Sequence, residues 1–254
     1  MIHAFHSMNS ASNLSIERPS LALLSTEPWR AVSEYLAHKL TTDPRLPRGD
    51  GHPVLIFPGL GADGRSVAPL RKMCESLGYA AFDWGKGYNT GPQGDIDVWL
   101  KELATYCSQL LKNHDQTATL IGWSLGGLYA RELAKLIKGR VRQVITIGTP
   151  FNAQADHTNV GWLYRLLSSQ SPALDDDLAY QLRTAPPVPT TSIYSRTDGV
   201  VAWQSCKHDV LREDVQDIEI KGSHIGMGWN PSALRIVADR LAHRPGKWQP
   251  FVAQ

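Results

Sequence analysis

Cysteine is scarce in this chain, and Cys74, Cys107 and Cys206 are widely separated and odd in number. That pattern argues against a disulfide framework and against a zinc cluster, and it fits free thiols in a reducing compartment. A surplus of either charge is missing too. With 26 Lys and Arg against 24 Asp and Glu the net charge is +2, so the charge balance offers no case for nucleic acid or an anionic membrane surface as partner. There is no lysine or arginine before Arg18 and no continuous apolar run over residues 1–20, whereas a secretory signal needs a basic start followed by an apolar stretch. No window approaches the roughly 18 apolar residues of a membrane-spanning helix. These absences lead to the expectation of a soluble, cytoplasmic protein, and nothing points to a charged polymer as partner. No internal repeat is found, and no glycine loop has the spacing of a dinucleotide or Walker motif.

What is present is a repeated alternation of strand and helix. At 254 residues the chain can form one large α/β domain. Residues 1–20 are expected to be a flexible arm, and residues 21–254 a single domain. From Pro28, the apolar positions Trp29, Val32, Leu36 and Leu40 predict an outer helix. Pro53 to Phe57 is a wholly apolar run that suits a strand buried on both faces of a parallel sheet. A loop with three glycines, Gly59, Gly61 and Gly64, follows, and Ser66 is placed to cap the next helix. Further strands are expected at 79–84, 116–121, 141–147, 190–195 and 215–220, with helices opening at Asp97, after Ser124 and at Ser232. The expectation is a mostly parallel six-stranded sheet with helices on both faces. Residues 151–189 interrupt the alternation. There Trp162, Leu163, Leu166 and Leu167 share a helical face, which suits either an ordinary packed helix pair or a mobile cover over a site.

The stretch Ile121-Gly122-Trp123-Ser124-Leu125-Gly126-Gly127-Leu128 stands between a strand and a helix. Glycines two residues either side of Ser124 are what a nucleophile elbow requires, because the tight turn brings backbones together where side chains would collide. A serine hydroxyl is a weak nucleophile near neutral pH, so it needs a base and a group that orients the base. Asp198 lies just beyond the fifth strand, and His224 just beyond the sixth in a small-residue loop. Asp209, Asp214 and Asp217 lie in or before the sixth strand, a poorer place from which to reach a histidine. Leu125, at the start of the elbow helix, would give one backbone N–H for an oxyanion, and Leu60, between two glycines, the other.

Residues 53–243 resemble an α/β-hydrolase of the esterase and lipase type. The resemblance rests on Phe57-Pro58-Gly59-Leu60-Gly61 as the oxyanion loop, Gly122-Trp123-Ser124-Leu125-Gly126-Gly127 as the elbow, Asp198, His224, and Gly148-Thr149-Pro150-Phe151 after the fourth strand. Many members carry histidine where this chain has Pro58, which affects side-chain support of the loop but not its backbone donor. The resemblance implies an α/β-hydrolase fold with a helical insertion, a Ser124-His224-Asp198 triad, an acyl-enzyme, and no cofactor or metal. The wall that selects substrate is expected in the irregular stretches 85–95 and 151–189, with Trp84, Asn89, Trp123, Trp162, Leu163 and Leu166 as candidate contacts. The apolar insertion favours a lipophilic acyl ester. Transfer of the acyl group to an alcohol or thiol instead of water remains an alternative, as does a ligand-binding protein on the same fold. Loss of the His224 ring is expected to abolish turnover while leaving the thermal midpoint nearly unchanged.

Overall fold

The computed structural model describes residues 17–41, 45–152 and 176–252. Six strands, β1 Pro53–Phe57, β2 Ala80–Asp83, β3 Ala118–Trp123, β4 Val141–Ile147, β5 Thr190–Ser195 and β6 Val215–Ile220, form one sheet. All neighbours pair in parallel, in the order β2-β1-β3-β4-β5-β6. β1, β3 and β5 are buried along their whole length, as strands covered on both faces must be.

Side chains alternate along each strand, so two apolar layers grow from the same residues. Leu55, Phe57, Leu120 and Val144 face one layer, packed against α3 Ile96–Leu110 and α4 Leu125–Leu136 through Leu100, Leu103, Leu128 and Leu133. Val54, Ile56, Ile121 and Ile145 face the other, packed against α2 Ala68–Ser76 and α6 Pro231–Ala242 through Leu70, Cys74, Leu234 and Val237. The three cysteines are unpaired and buried.

Two local expectations are corrected. The first helix, α1 Leu21–Leu40, starts before Pro28 and holds that proline in its interior; the Ser20 hydroxyl caps it by accepting the N–H of Leu23. α2 starts at Ala68 without a side-chain cap, and the Ser66 hydroxyl instead donates to the carbonyl of Asp63, tightening the preceding turn. α1 lies on the outside as expected, with Trp29, Val32, Leu36 and Leu40 exposed and Glu27 and Ala31 turned inward. Of the insertion, the structure describes the returning helix α5 Asp176–Arg183; the choice between a packed helix pair and a cover falls on residues outside those described. Among the described residues no helix is long and apolar enough to cross a membrane.

The strand order positions the site. From β1 the chain moves outward to β2, then returns past β1 to β3 and continues in the opposite direction. In open parallel sheets that reversal leaves a crevice at the carboxyl ends of the two central strands. Here it opens between β1 and β3, where Phe57 pairs with Gly122. Trp123 pairs with Ile147, Ile147 with Ile193, and Ser195 with Ile220, so the loops after five strands emerge at one edge.

Candidate active site

Ser124 joins β3 to α4 at φ 53 and ψ −122, and it is the one non-glycine residue with positive φ among the described residues. Side chains avoid that region, and strain of this kind costs on the order of 1–3 kcal/mol. The turn is held by its surroundings: Ser124 N–H donates to Ile147 O (2.8 Å), and Gly127 N–H donates to Ser124 O (3.0 Å). A methyl group on Gly122 would stand 2.3 Å from the Gly126 carbonyl oxygen, and one on Gly126 would stand 2.3 Å from that of Phe57. Both elbow glycines are therefore required by close backbone approach.

The loops after β5 and β6 bring Asp198 and His224 to the serine. His224 Nε2 lies 3.1 Å from Ser124 Oγ, and His224 Nδ1 lies 2.6 Å from Asp198 Oδ2. Asp198 Oδ1 accepts the N–H groups of Val200 (2.8 Å) and Val201 (2.7 Å), which locks the carboxylate. A carboxylate at Nδ1 keeps the proton there, leaving Nε2 as the acceptor for the serine O–H. Burial opposes charging the ring, but Asp198, by charge and hydrogen bond, and the charge of Glu27 outweigh it, so the His224 pKa lies above the ordinary histidine value. The arrangement can take a proton from Ser124 and hold the resulting cation.

Two further buried histidines have aspartate partners but no serine. His208 Nδ1 meets Asp217 (2.6 Å), while its Nε2 accepts from the Arg131 guanidinium (2.8 Å). His52 bridges Asp50 and the Thr119 hydroxyl near the start of β1, far along the strands from the crevice. Burial, the largest influence, holds both rings below the usual histidine pKa. The other two aspartates weighed in the sequence are engaged elsewhere, Asp209 with Asn152 and Asp214 with Arg212.

The loop after β1, which carries Leu60, is braced from an unexpected direction. Gly61 N–H donates to Asn89 O (2.8 Å), Asn89 N–H to Ala62 O (2.8 Å), and Asn89 Nδ2 to Pro58 O (2.8 Å). Asn89 Oδ1 accepts from Gly91 N–H and from the Tyr129 hydroxyl. With Ala62 N–H donated to Gly59 O, the N–H of Leu60 is left uncommitted among the described residues. So is that of Leu125, in the first turn of α4, where backbone donors have no partner within the helix.

Three of the candidate substrate contacts are buried. Asn89 is fully buried with every polar group engaged, and it braces the loop after β1. Trp84 is buried, donates its indole N–H to Gly87 O and stacks on Tyr129. Trp123 is buried too, and its indole N–H donates to the carbonyl of His224 (3.1 Å), holding the histidine loop. Trp162, Leu163 and Leu166 lie outside the described residues. An apolar groove of about 840 Å³ lies between α1 and α2, and its wall includes Val32, Leu36, Met73, Leu77, Ile225 and Trp229; Ser124, His224 and Asp198 do not line it.

No protein-family model matches the chain. Over 133 residues it is 29% identical to the pimeloyl-[acyl-carrier protein] methyl ester esterase of Shewanella woodyi, covering 51% of this chain and 49% of that protein. The chain thus spans about half the length of this curated relative. Among solved structures, it is similar to a monoacylglycerol lipase of Paleococcus ferrophilus (TM-score 0.56, 15% identity, 77% of this chain and 95% of that one). It is also similar to lipase B of Aspergillus fumigatus (TM-score 0.56, 16% identity, 82% and 57%) and to the mouse alpha/beta hydrolase domain-containing protein 10 (TM-score 0.53, 17% identity, 78% and 94%). The parallel sheet, the strand order and these neighbours identify the α/β-hydrolase fold.

Proposed function

We propose that this chain is a serine hydrolase that cleaves carboxylic esters, with Ser124 as nucleophile, His224 as base and then acid, and Asp198 as the group that orients it. The observation that carries the reading is the unbroken line of two hydrogen bonds from Ser124 Oγ through His224 to Asp198, ending at a serine held in a strained backbone. In the first half, Ser124 Oγ bonds to the ester carbonyl carbon as its proton passes to His224 Nε2. The carbonyl oxygen becomes an oxyanion held by the N–H groups of Leu60 and Leu125. Collapse breaks the bond to the alcohol, which leaves with the proton from His224. Water then repeats the sequence on the acyl-enzyme and frees the acid. The ester chemistry is supported by the likeness to a methyl ester esterase, and a lipophilic acyl group by the apolar positions Trp162, Leu163 and Leu166 of the insertion.

A fluorophosphonate probe tests the nucleophile. Ser124 is expected to be labelled in the folded protein and the Ser124→Ala variant to stay blank; a folded wild type that resists the probe would leave only the ligand-binding alternative. p-Nitrophenyl esters graded by acyl length, with and without a competing alcohol, then read chain preference and separate hydrolysis from acyl transfer by product.

A further inference from the structure

α1 packs outside the sheet, yet its inward face reaches both loops that carry the histidine and the aspartate. Glu27 is 1% exposed. Its Oε1 accepts the backbone N–H of Gly199 (2.7 Å) and of His224 (3.0 Å), and its Oε2 accepts that of Ile225 (3.0 Å). Gly199 follows Asp198 directly, so one carboxylate ties the aspartate loop to the histidine loop. Arg30, one turn further on, donates to Glu27 Oε1 (2.8 Å) and to the carbonyl of Thr197 (2.6 Å). Glu34, two turns from Glu27, accepts from Ser223 N–H (2.7 Å) and from Asn230 Nδ2 (3.2 Å). The loops leave room for the helix only because they carry glycine at the contact: a Cβ on Gly199 would stand 2.6 Å from the Leu23 carbonyl, and one on Gly226 would stand 2.3 Å from Glu34 Oε2.

Buried loop N–H groups need acceptors, and a carboxylate gives charge-assisted bonds, the stronger kind. A single neutral acceptor could not serve three donors on two loops in this way. We propose that Glu27 is a positioning residue for the base: it fixes His224 and Asp198 relative to each other and sets a second negative charge behind the imidazole, where it supports the cation formed as Ser124 attacks. The proposal rests on the hydrolase reading above for its catalytic consequence. Asp198 touches the ring and fixes its tautomer, whereas Glu27 touches only backbone, so it acts through position and field. The charged groups around His224 are Asp198 from the loop after β5 and Glu27 from α1, with Arg30 offsetting Glu27 and Glu34 bonded one residue away at Ser223. β3 and the elbow present only the neutral Trp123 and Ser124, and the loop after β4 presents Gly148. Both carboxylates push the His224 pKa upward against burial.

Glu27→Gln removes the charge and turns an amide N–H toward a backbone donor. The expected results are a lower pKa of the His224 ring by NMR titration, an acid limb of kcat/KM moved to lower pH, and kcat for a short soluble ester reduced about tenfold or more with KM within about twofold. A folded Glu27→Gln variant whose ring titration and kcat match the wild type overturns the proposal. Arg30→Met leaves Glu27 in place without its counter-charge and alters a side chain that is 25% exposed; it should raise the His224 pKa. If Glu27→Gln does not fold, an unmoved titration in Arg30→Met overturns the proposal by itself. The titration needs no substrate: a shift in the expected directions in a protein that hydrolyses no ester would support the coupling and refute the hydrolase reading.

Discussion

At φ 53 and ψ −122, Ser124 sits where glycine rests easily and every other residue is strained. Ser124→Gly and Ser124→Ala should both be inactive, but only the first relieves the backbone. Strain of about 1–3 kcal/mol, less the roughly 0.5–1 kcal/mol that glycine costs in chain entropy, leaves a gain of about 1 kcal/mol. Urea denaturation should find Ser124→Gly more stable than Ser124→Ala; equal midpoints would mean the turn is not strained. His224 is the opposite case. The ring is the partner of a carboxylate that is itself buried, so His224→Ala leaves Asp198 with only the two backbone donors of its loop. Breaking such a pair costs about 3 kcal/mol. The variant is therefore expected to lose thermal stability as well as turnover, which revises the sequence-based expectation of an unchanged midpoint. Full activity in His224→Ala would remove it from the mechanism.

Among elements, α4 does more than follow the Ser124 turn. Arg131 on its buried side donates to the carbonyls of Leu182, Arg183 and Thr184, the last turn of α5, and to His208, with Phe151 stacked on the guanidinium at 3.7 Å. It closes a helix end that has no intrahelical donors left. Arg131→Met should cost about 3 kcal/mol in chemical denaturation and expose the chain near residue 184 to limited proteolysis; an unchanged digestion pattern would show that α5 is held by other contacts. These bonds to the end of α5 span 51 to 53 residues and could not be read from the chain, since an arginine on a helix looks the same whether it is solvated or buried. The strands and the elbow were legible because their signals are local: apolar runs without alternation, and glycines at fixed distance from Ser124. Asp198 and His224 could be singled out by their places after strands. The orientation of aromatic neighbours could not be: Trp84 and Trp123, expected to meet substrate, are buried with their indole N–H groups bonded to the carbonyls of Gly87 and His224. The Glu27 contacts with the loops of Asp198 and His224 join residues 172 to 198 apart, a distance at which pattern carries no information.

Over the whole molecule, the histidines set opposing responses to pH. His52, His208 and His38 are held below the ordinary value, chiefly by burial. In these the unfolded chain takes up a proton, near pH 6.5, before the native one does. Their contribution to stability is whole above about pH 6.5 and is lost as pH falls below it. His224 runs the other way: its folded pKa is raised, so its contribution is whole below about pH 6.5 and is lost as pH rises through the folded value. The buried neutral histidines outnumber it, so the thermal midpoint should drop from pH 7 to pH 5; a midpoint that rises toward acid would contradict the assignment. Turnover should fail on the same side, because the raised ring pKa keeps the base protonated until pH passes the usual histidine range. The three thiols offer a way to watch such a loss of structure unfold in space. Burial pushes Cys74 and Cys107 up to about 12 and Cys206 well above the ordinary thiol value. Only the thiolate alkylates readily, so the native chain should be silent toward iodoacetamide. Cys74 lies on α2 under one face of the sheet, Cys107 on α3 over the other, and Cys206 in the turn behind Asp198. Pulsed alkylation followed by peptide mapping would therefore use three native residues as clocks, one for each face and one for the edge that carries Asp198, and report which opens first.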